Sequence, residues 1–389
     1  MAGRAGRGTA AAAQTGAARL TDSSRLVAVV LPPNEGFSPE AVGAIGLMVQ
    51  RLGADPQATF RTVVIGPALK HPPFAAPCFQ EARPPPWLPA SRSTRYVWGV
   101  ASRLRQLRPD LIEVHNRPMI ALALARRFPD AATMLVLHND PQAMRGTASA
   151  AGRARLRRLA RVVTVSSYVS ERLTDGVQDW SPPPFVQPNC IDLAAIPAPL
   201  PHDRRDQMIL FAGRLVPEKG VDCFIDACAR ALPSLPGWRA EVIGARRLRP
   251  DGASDAYSSA VQRAAAAAGV QMTGHRPHAE VLAAMVRAAL VVVPSRWPEP
   301  FGLTALEAMA SGAALICSPR GNLPELVRDA AVLVDPDDVG ALAAAIVALA
   351  VDLPRRTALG IAGRRRAQAF DIETGAATLD RLRHEILDA

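Results

Sequence analysis

The feature that most constrains this chain is a regular alternation between short apolar runs and longer alanine-rich stretches. The apolar runs include Leu26–Leu31, Thr62–Ile65, Val162–Val165 and Leu290–Pro294. Short β-branched runs separated by helical stretches are typical of βαβ units, which build parallel sheets covered by helices. Because 389 residues are more than one hydrophobic core usually serves, we expect an α/β protein with two domains.

A proline-rich stretch divides the chain. Residues 181–206 contain seven prolines, and proline lacks the backbone donor that helices and central strands require. The strand pattern then restarts at Gln207–Ala212. The predicted units are a disordered low-complexity tail at 1–24, doubly wound domains at 25–195 and 207–370, a linker at 196–206, and a C-terminal helix at 371–389, with packing back onto the first domain left open.

The cysteines and the hydropathy bear on location. The five cysteines are scattered, without a Cys-x-x-Cys pair, which fits a reducing cytosol and predicts no metal site. No apolar run reaches the length of a membrane span. We therefore expect a cytoplasmic protein, either soluble or held at the inner face of the cytoplasmic membrane.

The net charge of +10 lies wholly in the first half of the chain. Residues 1–195 carry 23 Lys+Arg against 13 Asp+Glu, whereas residues 196–389 carry 22 of each. A basic surface of this kind suits an anionic membrane, and solvated charges from an arginine-rich composition are the alternative. Nucleic acid is disfavoured as a partner because aromatic residues, which stacking requires, make up 5% of the chain.

Three predicted strands of the first half end on candidate binding residues. The first runs into a loop containing Gly36, after which a helix is predicted from Pro39. Two later strands end on His115 and His138. Doubly wound folds bind ligands beyond the carboxyl ends of their strands, so these three residues are candidates. Satisfaction of each histidine by the backbone at its strand end is the alternative.

The segment Phe211-Ala-Gly-Arg-Leu-Val-Pro-Glu-Lys-Gly220 predicts a strand, a turn, a loop with two cations, and a helix from about Val221. Arg214 and Lys219 can converge on one anionic group there, and the helix N-terminus adds its own positive end. The guanidinium fork engages two phosphate oxygens at once. The segment therefore predicts a diphosphate site, although either cation alone would be read as a solvated loop charge.

A second segment, Val291-Val-Val-Pro-Ser-Arg-Trp-Pro-Glu-Pro-Phe-Gly-Leu-Thr-Ala-Leu-Glu-Ala-Met-Ala-Ser-Gly312, predicts a strand, a glycine-containing loop and a helix. The helix begins near Thr304, which leaves the backbone amides of Gly302, Leu303 and Thr304 free to bind phosphate oxygens. Glu299 lies in the loop and Glu307 in the first turns of the helix. One carboxylate can therefore meet a sugar while the other accepts hydrogen bonds from ribose hydroxyls.

The spacing Glu299-x7-Glu307, within Pro-Ser-x3-Glu-Pro-Phe-Gly-Leu-x3-Glu-Ala-Met-Ala-x-Gly, closely resembles the signature of glycosyltransferase family 4, the group 1 glycosyl transferases. Further matches cover residues 188–325, and they are Gly213-Arg214-Leu with Lys219-Gly220, Gly321-Asn-Leu-Pro-Glu325, Val242-Ile-Gly244 and Pro188-Asn189-Cys-Ile-Asp192. The resemblance implies a GT-B fold, in which two Rossmann-like domains face each other across a cleft. It also implies retaining transfer of a hexose from a nucleotide sugar, with no metal or other cofactor.

The resemblance also implies roles for residues of this sequence. In the nucleotide-sugar-binding domain at 207–370, Arg214 and Lys219 would neutralise the diphosphate, together with the Gly302–Thr304 amides. Glu307 would hold the ribose. The implied roles of the remaining residues are catalysis at the donor sugar for Glu299 and His138, donor contact for Gly36, and acceptor contact for His115, Asn116 and Arg117 in the acceptor-binding domain at 25–195.

The sequence departs from the family pattern at three places. The glycine-rich first loop of many members is reduced to Asn34-Glu35-Gly36-Phe37. Pro188-Asn189-Cys190 stands where Pro-Asn-Gly is common, and a longer loop from Ala245 to Ser254 replaces a glycine-rich turn. GDP-mannose and UDP-sugars remain open as donors, and a glycan, a lipid-linked molecule or a small molecule as acceptor; synthesis of an envelope polysaccharide or glycolipid is favoured. The alternatives are a sugar-nucleotide epimerase and a non-enzymatic basic surface-binding protein. A phosphorylase of this fold would need a lysine that binds pyridoxal phosphate. It is disfavoured because Lys70 and Lys219, the only lysines, are poor candidates for that role.

Overall fold

Two parallel sheets, one in each half of the chain, form the framework of the molecule. The computed structural model describes residues 25–54, 59–84, 87, 91–245 and 256–389. The predicted tail at 1–24 and residues 246–254 of the predicted long loop lie outside this described part. The prediction of an α/β protein with two parallel sheets is confirmed.

The first sheet has seven strands, each parallel to its neighbours. The strands are β1 Leu26–Val30, β4 Arg61–Gly66, β5 Cys78–Glu81, β6 Leu111–His115, β7 Ala132–Leu137, β8 Arg161–Thr164 and β9 Phe185–Val186; the helices are α1 Ala44–Gly53, α2 Arg92–Leu107, α3 Pro118–Arg127, α4 Ala150–Ala154 and α5 Ser167–Thr174. The strands lie in the order β5-β4-β1-β6-β7-β8-β9. Alternate residues of β1 pack into different hydrophobic clusters on the two faces, as expected for a sheet covered by helices on both sides.

The second sheet has the order β12-β11-β10-β13-β14-β15 and is also parallel. Its strands are β10 Asp206–Ala212, β11 Arg239–Ile243, β12 Val270–Gly274, β13 Ala288–Val293, β14 Ala314–Cys317 and β15 Ala331–Leu333. The helices of this half are α6 Val221–Ala231, α7 Ala256–Ala267, α8 His278–Arg287, α9 Leu303–Ala310, α10 Leu323–Val327, α11 Val339–Val351 and α12 Leu353–Ala367. None of the helices in the described part of the chain is long and apolar enough to cross a membrane.

The helix predicted from Pro39 instead begins at Ala44. Two short antiparallel strands, β2 (Phe37–Ser38) and β3 (Ala41–Val42), form a hairpin over the intervening residues. A Cβ atom on Gly36 would collide with the carbonyl oxygen of Ala41. Glycine at position 36 thus lets the hairpin fold back on its own loop, because only a residue without a side chain fits there.

The proline-rich stretch is not wholly a connection. Within it, β9 adds an edge strand to the first sheet, with Val163 opposite Phe185. Prolines flank this strand, and edge strands tolerate them because one row of their backbone donors needs no partner in the sheet.

The last helix, α13 (Ile372–Leu387), returns to the first half of the molecule. Leu379 and Leu382 are buried in the cluster that covers one face of the first sheet. The chain therefore passes between the halves twice. The two passages lie side by side, since the amide of Ile191 donates to the carbonyl of Phe370 at 2.9 Å and the amide of Ile372 donates to that of Ile191 at 3.0 Å.

Candidate functional site

A cleft of about 730 Å³ separates the two halves at the carboxyl ends of their central strands. This is where doubly wound sheets bind ligands. The wall from the first half includes His138, Asn139, Asp140 and Met144. The wall from the second half includes most of the predicted donor-binding residues, which are Arg214, Lys219, Glu299, Gly302, Leu303 and Thr304.

The two cations of the second half follow β10. The strand ends at Ala212, Arg214 lies in the next loop, and a single 3₁₀ turn ends at Lys219 before α6 begins at Val221, where the sequence predicts it. Lys219 donates from Nζ to Oε1 of Glu299 at 2.5 Å. The structure thus joins a predicted phosphate ligand to a predicted sugar ligand in one ion pair.

Glu299 is held from a second side. Its Oε1 also accepts a hydrogen bond from the Ser295 hydroxyl at 2.7 Å, and the residue is buried at the base of the cleft. The backbone of Glu299 forms an isolated parallel bridge to Gly321. Because both its backbone and its carboxylate are fixed, Glu299 presents a preorganised negative charge beside the Lys219 cation.

Helix α9 begins at the cleft with a glycine in a left-handed conformation. Gly302 has φ 105°, and a Cβ there would lie 2.6 Å from Cδ2 of Leu323. Neither that backbone conformation nor that space is compatible with a larger residue. The first amides of a helix have no partner within it, so Leu303 and Thr304 direct a positive helix end into the cleft.

Glu307 and Gly36 are not among the residues that line the cleft. Glu307 is buried on α9 and lies 2.7 Å from Nε2 of His278, outside the group of residues that lines the cleft. Its role at a ribose stays a prediction, and His278 is its partner in this structure. Gly36 likewise lies outside that group and serves the hairpin described above, so its predicted donor contact has no support in the geometry.

The wall from the first half depends on a chain of buried polar contacts behind His138. Nε2 of His138 lies 2.8 Å from Nδ1 of His115, and Nε2 of His115 lies 2.8 Å from Oε1 of Glu113. The other carboxylate oxygen of Glu113 accepts from Arg383 on α13, at 2.9 Å from Nη2 and 3.3 Å from Nε. His138 is thus connected through two side chains to the C-terminal helix.

Charge and burial act in opposite directions along this chain. Burial disfavours the ionised form of Glu113, but Arg383 and His115 outweigh that effect and lower its pKa to about 2. Burial, followed by the nearby His115, lowers the pKa of His138 well below its ordinary value. At neutral pH Glu113 is therefore a carboxylate and His138 is a neutral imidazole.

The structure places His115 and Asn116, two predicted acceptor contacts, behind His138. Both residues are buried, with 3% and 4% of their surface exposed. Asn116 has φ 55°, and its side-chain oxygen accepts from the backbone amide of His138 at 3.2 Å. Both side chains therefore support His138. Arg117 donates to the carbonyl of Asn116, and the acceptor contacts of all three residues stay predictions.

Sequence reasoning missed Glu113, Arg383 and His278. Glu113 carried a usable signal, because it is a carboxylate in the middle of an apolar strand and such a residue needs a buried partner. Arg383 carried none, since it lies in a helix with several other charged residues.

Two parallel-sheet domains that face each other across a cleft define the GT-B class. The family model described as Glycosyl transferases group 1 matches residues 194–366, and the one described as Glycosyltransferase Family 4 matches residues 52–195. The chain belongs to this family of glycosyltransferases, as its motifs predict.

Its relatives carry out several reactions. A D-inositol 3-phosphate glycosyltransferase of Segniliparus rotundus is 37% identical over 48% of this chain and 41% of that protein. A glycogen synthase of Mycobacterium tuberculosis is 30% identical over 70% of this chain and 68% of that protein. A lipopolysaccharide core mannosyltransferase of Rhizobium meliloti is 33% identical over 44% of this chain and 48% of that protein. This chain thus matches less than half the length of the first relative.

Solved structures share the fold over nearly the whole chain. Sucrose-phosphate synthase from Thermosynechococcus elongatus has a TM-score of 0.75 at 21% identity, covering 94% of this chain and all of that one. Anabaena Alr3699/HepE, in complex with UDP and glucose, has a TM-score of 0.73 at 19% identity, covering 92% and 99%. At these identities the likeness establishes the GT-B fold.

Proposed function

We propose that this protein transfers a hexose from a nucleoside-diphosphate sugar to a hydroxyl of an acceptor, with retention of configuration and without a metal ion. The carrying observation is the Lys219–Glu299 pair, 2.5 Å apart in the cleft beside the N-terminus of α9. A cation and a helix end suit a diphosphate, whereas the adjoining carboxylate suits sugar hydroxyls. Anabaena Alr3699/HepE, whose fold is shared, binds UDP and UDP-glucose.

In the proposed reaction the bond between the anomeric carbon and the diphosphate oxygen breaks, and the acceptor hydroxyl bonds to the same face of that carbon. The departing phosphate oxygen takes the hydroxyl proton. Arg214 and Lys219 stabilise the negative charge that develops on the leaving group, and Glu299 stabilises the positive charge on the sugar ring. His138 contacts the donor sugar from the opposite wall. No step requires a divalent cation, since two cationic side chains supply its charge.

The donor is tested by a thermal-shift panel of nucleoside diphosphates, with GDP and UDP as the main candidates. A diphosphate at a hundred times its Kd is expected to stabilise the folded protein by about 2.7 kcal/mol. Lys70→Ala, which changes the other lysine at an exposed position, should keep this shift, and Lys219→Ala should lose most of it. Stabilisation by none of the diphosphates would contradict the proposed donor class.

The acceptor is tested with the donor that this panel identifies. A product that forms only when a glycan or lipid-linked acceptor is present establishes transfer. Release of free sugar without an acceptor does not separate a transferase from an epimerase, because both can hydrolyse the donor. The relatives place inositol phosphate, glycogen and lipopolysaccharide core acceptors in the first panel to be tried.

We further propose that the first domain contacts anionic lipid at the cytoplasmic face of the membrane, through the exposed face of α2. Trp98 and Arg105, seven positions apart, lie on this face, and the guanidinium of Arg127 stacks on the Trp98 ring at 4.8 Å. A basic face with an exposed tryptophan suits an anionic interface. Arg153 does not contribute to this surface, because it is buried and donates to backbone carbonyls.

Flotation with liposomes tests the membrane proposal. Binding should be stronger to anionic than to neutral vesicles and should fall when Arg105 and Arg127 are both changed to Gln. Arg381→Gln, an exposed arginine on α13, is the matched control. Equal binding to anionic and neutral lipid would contradict the proposal.

A further inference from the structure

Four polar side chains connect the C-terminal helix to the cleft in one line. Arg383 donates to Oε2 of Glu113, Oε1 of Glu113 contacts His115, and His115 contacts His138. The contacts at 2.9, 2.8 and 2.8 Å join residues that lie up to 270 positions apart in the sequence. The hydrogen bonds given above for the loops at 213–219 and 299–304 do not involve any of these four side chains.

The interior members are too well buried to be incidental. Arg383, Glu113 and His115 expose 3%, 2% and 3% of their surface. A buried ion pair carries a large desolvation cost and adds little net stability relative to apolar residues of the same size. In some proteins such a pair is retained because it fixes one particular geometry.

The two oxygens of Glu113 have different partners, which ties the orientation of His115 to Arg383. Arg383 fixes Oε2, and this directs Oε1 toward Nε2 of His115. Asp380, one turn earlier, lies 3.9 Å from Nη1 of Arg383 and holds the other end of the guanidinium. Rotation of the carboxylate would therefore break a charge-assisted contact on each side.

The orientation of Glu113 restricts where a proton can lie on the His138 ring. A carboxylate only accepts, so Nε2 of His115 must be the donor in its contact with Glu113. The 2.8 Å contact between His115 and His138 then holds a single proton, and Nε2 of His138 is committed to it. Nδ1 of His138 is left as the one ring nitrogen available to a ligand. Its state as donor or acceptor is set by the position of that shared proton.

We propose that Arg383 is a positioning residue, which acts through Glu113 and His115 to hold His138 in one orientation and one tautomer at the cleft. The catalytic part of this inference rests on the proposed glycosyl transfer. The structural part does not, because it concerns the protonation pattern of the free protein.

The structural part is tested by ¹⁵N chemical shifts of the histidine rings, with the His138 signals identified by their loss in His138→Ala. In the unaltered protein His138 should show a single tautomer at a fixed, near-neutral pH. Arg383→Met, which keeps the bulk of the stem and removes the charge, should give averaged shifts of a tautomer mixture. Arg381→Gln should leave the spectrum unchanged. Unaltered His138 shifts in Arg383→Met would overturn the proposal.

The catalytic part is tested by kcat and KM. Arg383→Met should lower kcat about ten- to a hundredfold, by analogy with the loss when the hydrogen-bond partner of a metal-binding histidine is removed, with little change in donor KM. Arg383→Lys should recover part of the loss. In a His138→Ala background, Arg383→Met should cause no further loss, because both changes remove the same interaction. Additive losses would show a general structural role and overturn the proposal.

One variant guards against misfolding. Arg383→Met leaves Glu113 without its partner, so the double change Glu113→Gln with Arg383→Met removes both charges together and preserves the buried shape. It should show the same tautomer mixture and the same fall in kcat as Arg383→Met. If the unaltered protein turns over no nucleotide sugar, the proposed function fails, yet the ¹⁵N experiment still decides whether Arg383 sets the state of His138.

Discussion

The two walls of the cleft are built in different ways. In the second half, the functional groups lie on two short segments, 213–219 and 299–304, that each follow a central strand. In the first half, His138 depends on side chains 23 and 25 positions earlier and on Arg383 at the far end of the chain. One wall is therefore a local product of sequence, and the other exists only after the whole chain has folded.

This difference explains which residues could be predicted. A strand, a glycine turn and a helix place Arg214, Lys219 and Gly302 at a strand end whatever the rest of the molecule does. His138 was identified because it also ends a strand. The contact between Glu113 and Arg383 could not be predicted, because it depends on where α13 returns to the first sheet and no local sequence pattern encodes that. His115 and Asn116, which are predicted acceptor contacts, are buried and also support His138.

The strongest test of the local wall is removal of its ion pair. Lys219→Ala and Glu299→Ala should each lower transfer about a thousandfold, because each removes a charge that acts on the developing transition state. Steady-state rates at saturating donor measure this, with melting temperatures to confirm folding and Lys70→Ala as the control. Near-normal turnover in either variant would show that the assigned roles are wrong.

Acid should distinguish the two halves by their stability. Burial, then the nearby Arg205, lowers the pKa of His202 in the second half to about 4, while that of Glu113 is lowered to about 2. Both folded-state values lie below those of the unfolded chain, so both contributions are present at high pH and lost as pH falls. His202 should lose its contribution between pH 6.5 and about 4, and Glu113 between pH 4.5 and about 2.

Each loss should approach about 3 kcal/mol, or somewhat more than a hundredfold in the unfolding equilibrium. Urea unfolding at a series of pH values measures it. His202→Gln should remove the upper step, and Glu113→Gln should remove the lower one. A single substitution that abolished both steps would show that His202 and Glu113 do not contribute independently to the stability of the two halves.

Replacement of His138 tests the wall that depends on long-range contacts. His138→Ala should lower kcat about a hundredfold, which is typical of a polar group that assists transfer without being the leaving-group anchor. Donor Kd, measured by titration calorimetry with the nucleoside diphosphate, should change little, because the diphosphate is held by the opposite wall. A large loss of diphosphate affinity would place the histidine in the anion site and remove the distinction between the walls.

The smallest expected effect concerns the start of α9. Gly302→Ala should raise donor KM about tenfold, because a side chain at φ 105° strains the backbone and displaces the amides that face the phosphates. Gly269→Ala is a matched control, since Gly269 also has a positive φ, with nothing within 4 Å of its Cβ position. It should cost some stability and leave KM unchanged. Equal KM changes in both variants would show that backbone strain alone is responsible.

The paired passages at Ile191 and Phe370–Ile372 give the molecule a mechanical property. Two connections that are hydrogen-bonded side by side have the geometry of a hinge between the halves. We therefore expect rotation of the halves about one common axis to be easier than twisting or sliding between them. Because α13 is anchored on the first sheet, the loops that carry Lys219 and Glu299 would move together with the second half. Such a rotation would change the width of the cleft and keep its two walls facing each other.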